Sequence, residues 1–280
     1  MLWYENTSYF GTLTATFINR NSFVTAYAGL VLVVTSGPLL ASFETEGFTQ
    51  RGLRARLHGL MTLLLERGWL LILAWVPIAS ALLLTPSHGG FFAGSAGLCV
   101  LLAAFLLRRG SRPGLALGAA APILVGGIGL CSLGGEATNA RLAGIEGDAA
   151  ERGCLYALIL QAVAARPLTG WGHGSFAHVF GMVRDAKVLQ DIVKAHNSYL
   201  ELGVPAAALL VVADAVLFPC CLTRARVRRR DTVYACVGVA ATLIVEAHSA
   251  VAFSLQIPAV AATYALIVGI AVAQSWRSRA

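Results

Sequence analysis

The chain has 280 residues, of which 57% are hydrophobic and 12% are charged. Soluble domains carry about 25% charged residues, so this composition excludes an ordinary soluble domain and requires lipid around much of the surface. The net charge of +7 does not indicate nucleic-acid binding, because most of the arginines lie in short runs between apolar segments, as they do in the loops of membrane proteins.

Seven apolar stretches are long enough, or nearly so, to cross a bilayer. A transmembrane helix needs about 20 apolar residues, and helices are expected because lone strands would leave backbone groups unpaired in lipid. The stretches are 22–42, 68–85, 90–107, 114–133, 204–222, 232–249 and 257–274. The sequence therefore predicts an all-α, polytopic integral membrane protein with about seven transmembrane helices.

The arginines predict the side of the membrane that each linker faces. The linkers 43–67, 108–113 and 223–231 and the C-terminal tail hold 14 of the 21 basic residues. Since cytoplasmic loops are rich in Lys and Arg, these segments should be cytoplasmic, which leaves the N-terminus periplasmic and the C-terminus cytoplasmic. Leucines at helical spacing in 43–67 predict an amphipathic helix on anionic lipid; a solvated linker is the alternative.

The segment 134–203 is the longest one without a predicted span, and this topology makes it a periplasmic loop. It separates an N-terminal four-helix part, 1–133, from a C-terminal three-helix part, 204–280. Long loops in compact proteins are usually functional. We therefore expect the active site in 134–203.

The phrase from Lys194 to Glu201, KAHNSYLE, lies where this loop meets the membrane. A neutral imidazole at His196 can accept a proton from a hydroxyl, provided that a neighbour holds its other nitrogen. The alternative is a histidine that anchors a helix end at the interface.

A glycine-rich turn from Arg166 to Phe176 follows a predicted helix at about 148–165. Its glycines allow either a close approach of the backbone to a ligand or a tight turn. Arg152, on the predicted helix, can bind a phosphate through two parallel hydrogen bonds. A salt bridge to a nearby acid is the alternative.

Two acidic residues lie within predicted spans, Asp214 near the middle of one and Glu246 near the outer end of another. A charge in lipid is costly, so each indicates a function or a partner, and we expect a helix neighbour to neutralise Asp214. The His, Cys and acidic residues show no metal-ligand spacing. We predict no metal site and no cofactor.

Four phrases resemble the O-antigen ligase and O-antigen polymerase family of bacterial inner-membrane proteins. They are GT and TFINRN within 11–21, the turn at 166–176, AHNSYL at 195–200, and HS followed by FSLQIP within 248–258. His88 and Ala252 stand where family members often carry Arg and Asp. The resemblance corresponds to the later part of the family's usual length, so an inactive fragment is one interpretation.

The resemblance implies a metal-independent glycosyl transfer at the periplasmic face. A glycan on undecaprenyl pyrophosphate would pass to a hydroxyl of lipid A–core or of another glycan. His196 would be the base, and Arg152 and Arg20 would neutralise the departing pyrophosphate. The resemblance also suggests the supporting residues His88, Arg166, Asn197 and His248.

Other functions remain open at the level of sequence. A polysaccharide polymerase or a protein O-oligosaccharyltransferase would carry the same motifs. A polytopic transporter would show inverted repeats and charges paired at mid-membrane, whereas this sequence has one mid-span acid, Asp214, and no internal repeat.

Overall fold

A computed structural model describes residues 20–23, 29–45, 53–62, 69–85, 87–108, 112–116, 121–123, 153–167, 174–184, 194–202 and 233–275, and the single positions 118, 125, 169, 171, 212, 214, 215, 219, 221 and 223. Within these residues the regular structure is helical and includes no β-strand. The predicted all-α class is confirmed.

The described helices include four that coincide closely with predicted apolar stretches. In chain order the helices are α1 Arg20–Phe23, α2 Leu32–Thr45, α3 Leu53–Thr62, α4 Trp69–Leu84, α5 His88–Arg108, α6 Gly153–Ala165, α7 Phe176–Val183, α8 Ser198–Leu202, α9 Val233–Ser249 and α10 Pro258–Ser275. A 3-10 turn, Ser254–Gln256, joins α9 to α10. Helices α4, α5, α9 and α10 each begin and end within two residues of a predicted span.

Helix α9 is the centre of the bundle. It packs most extensively against α5 and α10 and also contacts α2, and its residues Ala240 and Ile244 are fully buried. Glycines allow this close packing, because a Cβ atom at Gly37 of α2 or at Gly97 of α5 would overlap the side chains of Val237 and Ile244 respectively. Small residues at helix contacts are typical of membrane bundles.

Helices α4 and α10 expose apolar side chains. Leu73 of α4 is 62% exposed, and Val76 of α4 and Leu266 and Ile270 of α10 are also exposed. In water these faces would form apolar patches of the kind that soluble monomers avoid. Lipid contact removes that cost.

Two of the described helices are long and apolar enough to cross a membrane. They cover Gly89–Arg108 and Pro258–Ser275. Helix α4 has 16 residues and α9 has 17, which is shorter than the roughly 20 residues of a full span. The predicted spans 114–133 and 204–222 lie mostly outside the described residues, so the count of seven stays a prediction.

Helix α3 lies within the predicted cytoplasmic linker. The predicted helix is present, and its residues Leu57 and Met61, one turn apart, are about half exposed. An uncovered apolar stripe beside the exposed Arg54 is typical of a helix that lies on a membrane surface. That position remains a prediction.

The segment 134–203 contributes α6, α7 and α8, and part of it builds a small core of its own. Leu155 and Ile159 of α6 pack with Phe180 of α7 and with Ala195. Ala195 is fully buried and directly precedes His196. This core therefore fixes one side of the turn that carries His196.

Candidate active site

The turn before α8 is shaped by an asparagine cap. The side-chain Oδ1 of Asn197 accepts a hydrogen bond from the backbone N–H of Leu200 at 3.1 Å, and its backbone carbonyl accepts one from the N–H of Glu201. Asparagine is among the preferred residues at this position because its side chain satisfies an N–H that the first helical turn leaves unpaired. Asn197 thus determines where α8 begins and where the chain turns at His196.

His196 adopts a left-handed backbone conformation with φ of 51°. This region is unfavourable for residues other than glycine, and it persists where the surroundings force it, often at functional sites. The imidazole is exposed and meets the ring of Phe253 edge-on, with 5.3 Å between the ring centroids. The hydroxyl of Tyr156, in the first turn of α6, donates to the His196 carbonyl at 3.4 Å.

Three consecutive side chains after His196 attach the turn to the end of α9. Each donates a hydrogen bond to a backbone carbonyl at the end of that helix or just beyond it. The pairs are Asn197 Nδ2 to Ala250 O at 2.9 Å, Ser198 Oγ to Ala252 O at 3.0 Å, and Tyr199 Oη to Glu246 O at 2.9 Å. The Glu246 carbonyl is one of the last four of α9, which lack partners within a helix, and the three bonds together hold the turn in place.

Lys194 lies on the other side of His196 and contacts two acceptors. Its Nζ is 3.1 Å from Oε1 of Glu201 and also donates to the side-chain oxygen of Gln256. The second carboxylate oxygen of Glu201 accepts a hydrogen bond from the N–H of Ala195 at 3.2 Å. The His196 turn is therefore held from both directions along the chain.

His248 lies beneath this surface. Its side chain is 1% exposed, and its Nδ1 is 2.8 Å from the hydroxyl of Ser254. The ring packs where α5 begins, since a Cβ atom at Gly89 would lie 3.5 Å from it. His248 can therefore support the turn that carries Phe253, whereas its burial keeps it away from a substrate at the surface.

The structure describes the glycine-rich turn in two places, around Arg166 and Trp171 and at Gly174. The guanidinium of Arg166 lies 4.2 Å from the centroid of the Trp171 ring, and Nε1 of Trp171 donates to the carbonyl of Ala162 at 2.8 Å. Gly174 has φ of 79°, with no atom within 4 Å of the position of a Cβ. The positive φ at Gly174 favours glycine for the turn, and the open space beside it is compatible with both sequence-based interpretations.

Tyr199 is surrounded by acidic side chains. Its partial burial, with smaller contributions from the negative charges of Glu246 and Asp214, raises the pKa of Tyr199 to about 12. The phenol therefore keeps its proton at physiological pH. It can continue to donate to the Glu246 carbonyl.

A family model described as O-antigen ligase matches residues 72–211, which is half of the chain. The chain belongs to the O-antigen ligase family. The match includes most of α4, all of α5 to α8, and the His196 turn. Comparisons with curated proteins and with solved structures gave no match.

Membership of the O-antigen ligase family confirms the resemblance found in the sequence. The family points to a membrane glycosyltransferase of the ligase or polymerase type, to the bacterial inner membrane, and to lipid-linked glycans as substrates. The exposed His196 is therefore a candidate for chemistry on a hydroxyl group.

The structure brings only some of the predicted site residues of this O-antigen ligase family member together. His196 and Asn197 share one turn, and His248 reaches it through the 3-10 turn. Arg166 follows the far end of α6, about 15 Å along the helix axis from Tyr156.

Arg152 lies outside the described residues, as do the side chains of Arg20 and His88, which begin α1 and α5.

Several residues of the site were not predicted from the sequence. Tyr156, Phe253 and Gln256 contact the turn from segments 40 to 62 positions away. Gln256 is a polar residue within the apolar phrase FSLQIP. That polarity is the local signal that could have indicated a polar contact such as the one with Lys194.

Asp214 and Glu246, the two acidic residues within predicted spans, lie near each other. The carboxyl of Asp214 lies near that of Glu246 and near the hydroxyl of Tyr264, which is 2.7 Å from the hydroxyl of Thr242. These neighbours are a carboxyl and a phenol, so the neutralisation of Asp214 by a helix neighbour stays a prediction.

Proposed function

We propose that this chain transfers a glycan from undecaprenyl pyrophosphate to a hydroxyl of lipid A–core or of another glycan. The reaction takes place at the periplasmic face of the bacterial inner membrane. The observation that carries the proposal is the exposed imidazole of His196, held on a strained backbone within the family-matched stretch. Backbone strain of this kind, about 1–3 kcal/mol, is retained where a side chain has to be presented in one place.

In the proposed reaction His196 is the general base. The acceptor oxygen attacks the anomeric carbon of the donor while the bond from that carbon to the pyrophosphate oxygen breaks. The proton of the acceptor hydroxyl passes to the imidazole, and the electron pair of the broken bond leaves with undecaprenyl pyrophosphate. A positioned base of this type contributes about 10²- to 10⁴-fold to the rate.

Arginines are proposed to stabilise the leaving group. Pyrophosphate gains negative charge as the glycosidic bond breaks, and guanidinium groups bind such oxygens through paired hydrogen bonds. Arg152 directly precedes α6, whose first turn contacts the His196 carbonyl through Tyr156. We assign Arg152 and Arg20 to the pyrophosphate, and we assign supporting roles to Asn197, His248, His88 and Arg166.

The membrane topology belongs to the same proposal. Seven spans, with the arginine-rich linkers in the cytoplasm, place 134–203 in the periplasm. In this arrangement 1–133 and 204–280 form the membrane parts on either side of the catalytic loop. The exposed apolar faces of α4 and α10 support contact with lipid.

The proposed roles are tested by single substitutions in a bacterial host that lacks its own ligase. We expect His196→Ala and Arg152→Ala each to reduce attachment of polysaccharide to lipid A–core by about 100-fold or more. A parallel host that lacks its polymerase, scored for glycan chain length, distinguishes ligation from polymerisation.

His178→Ala is the matched control, since His178 is an exposed histidine of α7 in the same loop. It should retain transfer within about twofold. Membrane insertion of each variant is measured by membrane fractionation and immunoblotting. Normal transfer by the inserted His196→Ala protein would refute the role of His196 as the base.

A further inference from the structure

Lys194 contributes to the His196 turn from the N-terminal side of His196. The bonds from Asn197, Ser198 and Tyr199 all lie after His196 in the chain. Before His196, the anchoring bonds that the structure describes come from Lys194 and from the Ala195 N–H, and both reach Glu201. A residue with a side chain keeps a strained left-handed conformation only when the surrounding structure enforces it.

The contacts of Lys194 also join two distant parts of the chain. Glu201 is seven residues away in α8, and Gln256 is 62 residues away in the 3-10 turn before α10. The side chain of Glu201 is 8% exposed and that of Lys194 is 40% exposed. The ammonium group therefore bridges a nearly buried carboxylate and an amide, and it links the loop to the turn that carries Phe253.

We propose that Lys194 is a positioning residue for glycan transfer, acting with Glu201 and Gln256 to hold the imidazole of His196 against Phe253. This inference rests on the proposed function of His196. In this role the ammonium acts through the turn, since two of its N–H groups already donate to Glu201 and Gln256. Small displacements of a catalytic group reduce rates strongly, by about 100-fold for a shift of about 1 Å.

The kinetic test uses purified full-length protein in liposomes with a lipid-linked glycan donor and a lipid A–core acceptor. We expect Lys194→Gln to lower kcat by about 10- to 100-fold while KM for the donor changes by less than about twofold. Lys194→Arg should retain kcat within about threefold, since a guanidinium can donate to both acceptors. Arg54→Gln on α3 removes one exposed positive charge elsewhere and serves as the control.

A double variant tests whether Lys194 and Glu201 act together on the same turn. Lys194→Gln combined with Glu201→Gln should lose no more than about threefold beyond the more impaired single variant, because both changes release the same turn. Losses that multiply would overturn the proposal, as would an unchanged kcat in Lys194→Gln. A raised KM for the donor with unchanged kcat would show that Lys194 binds substrate.

A structural measurement separates failure of this inference from failure of the proposed function. In a variant without the six native cysteines, His196→Cys with Phe253→Cys reports the contact between the two turns by cross-linking with a short bifunctional thiol reagent. Adding Lys194→Gln should reduce the cross-linking rate at least about fivefold, whereas adding Arg54→Gln should not change it.

An unchanged cross-linking rate in Lys194→Gln would overturn the positioning role and leave the proposed function intact. A reduced cross-linking rate in Lys194→Gln would support the contact between Lys194 and the turn. If His196→Ala nevertheless retained full transfer, the proposed function would be refuted.

Discussion

The backbone of His196 combines an unfavourable conformation with an exposed imidazole. A left-handed residue with a side chain costs about 1–2 kcal/mol relative to glycine. We therefore expect His196→Gly to unfold at a higher temperature than His196→Ala in detergent, corresponding to a difference of up to about 1 kcal/mol after the larger unfolded-state entropy of glycine is included. Both variants lose the imidazole, so both should lose transfer.

The comparison of glycine with alanine isolates the backbone, because neither variant retains the contact with Phe253. A higher unfolding temperature for His196→Ala than for His196→Gly would mean that position 196 is not left-handed in the membrane-embedded protein, because alanine loses less entropy on folding than glycine does. Circular dichroism of both variants before heating checks that their helix content is the same.

Tyr199 gives a prediction about pH. Its pKa rises from the usual 10.0 to about 12 because of burial and the neighbouring acids, so between pH 10 and 12 the folded state retains a proton that the unfolded state releases. Stability from this group is complete below pH 10 and falls as the pH rises toward 12. Tyr199→Phe should remove this part of the pH dependence and cost about 1–2 kcal/mol at pH 7, since the Glu246 carbonyl loses its donor.

The measurement for Tyr199 is the unfolding temperature in detergent from pH 7 to 12, for wild type and Tyr199→Phe. Tyrosines and lysines that are remote from Tyr199 titrate in the same range and cancel in the difference between the two proteins. A difference that stays constant across this range would contradict the environment described for Tyr199.

Between helices, the contact of α5 with α9 depends on Gly97. A methyl group there would overlap the side chain of Ile244, and overpacking in a tight core costs about 1–3 kcal/mol. Gly97→Ala should lower the unfolding temperature accordingly. Combining it with Ile244→Ala should cost at least about 1 kcal/mol less than the sum of the single changes, because the second substitution opens the space that the first requires.

Gly269→Ala is the matched control for Gly97→Ala. It places the same methyl group on α10, where no atom lies within 4 Å of the new Cβ. It should leave stability unchanged or raise it slightly, since alanine favours helix more than glycine does. Similar losses in both variants would show that the α5–α9 contact is not the cause.

For the whole molecule, the decisive property is the side of the membrane on which α6, α7 and α8 lie. Alkaline phosphatase fused after residue 185 should be enzymatically active, because that reporter matures only outside the cytoplasm. The same reporter fused after residue 230 should be inactive, since 223–231 carries five arginines and should be cytoplasmic. The opposite pattern would place the His196 turn in the cytoplasm and remove it from the proposed reaction.

Properties that depend on the local sequence were predictable. Apolar length and composition gave the all-α class and the ends of α4, α5, α9 and α10 to within two residues, because the apolar stretches themselves mark where each helix runs. Four phrases taken together, one of them around His196, indicated the O-antigen ligase family. The glycine turn and the helix before it were also visible, since glycine and helical periodicity act over a few residues.

Contacts between distant segments were decided by the tertiary structure. The sequence alone does not show that Gln256 meets Lys194, that Phe253 meets His196, or that His248 is buried. Nor does it show that Arg166 lies at the opposite end of α6 from Tyr156. Composition and periodicity report which surfaces are apolar, whereas the packing of α9 against its neighbours determines which polar groups those surfaces bring together.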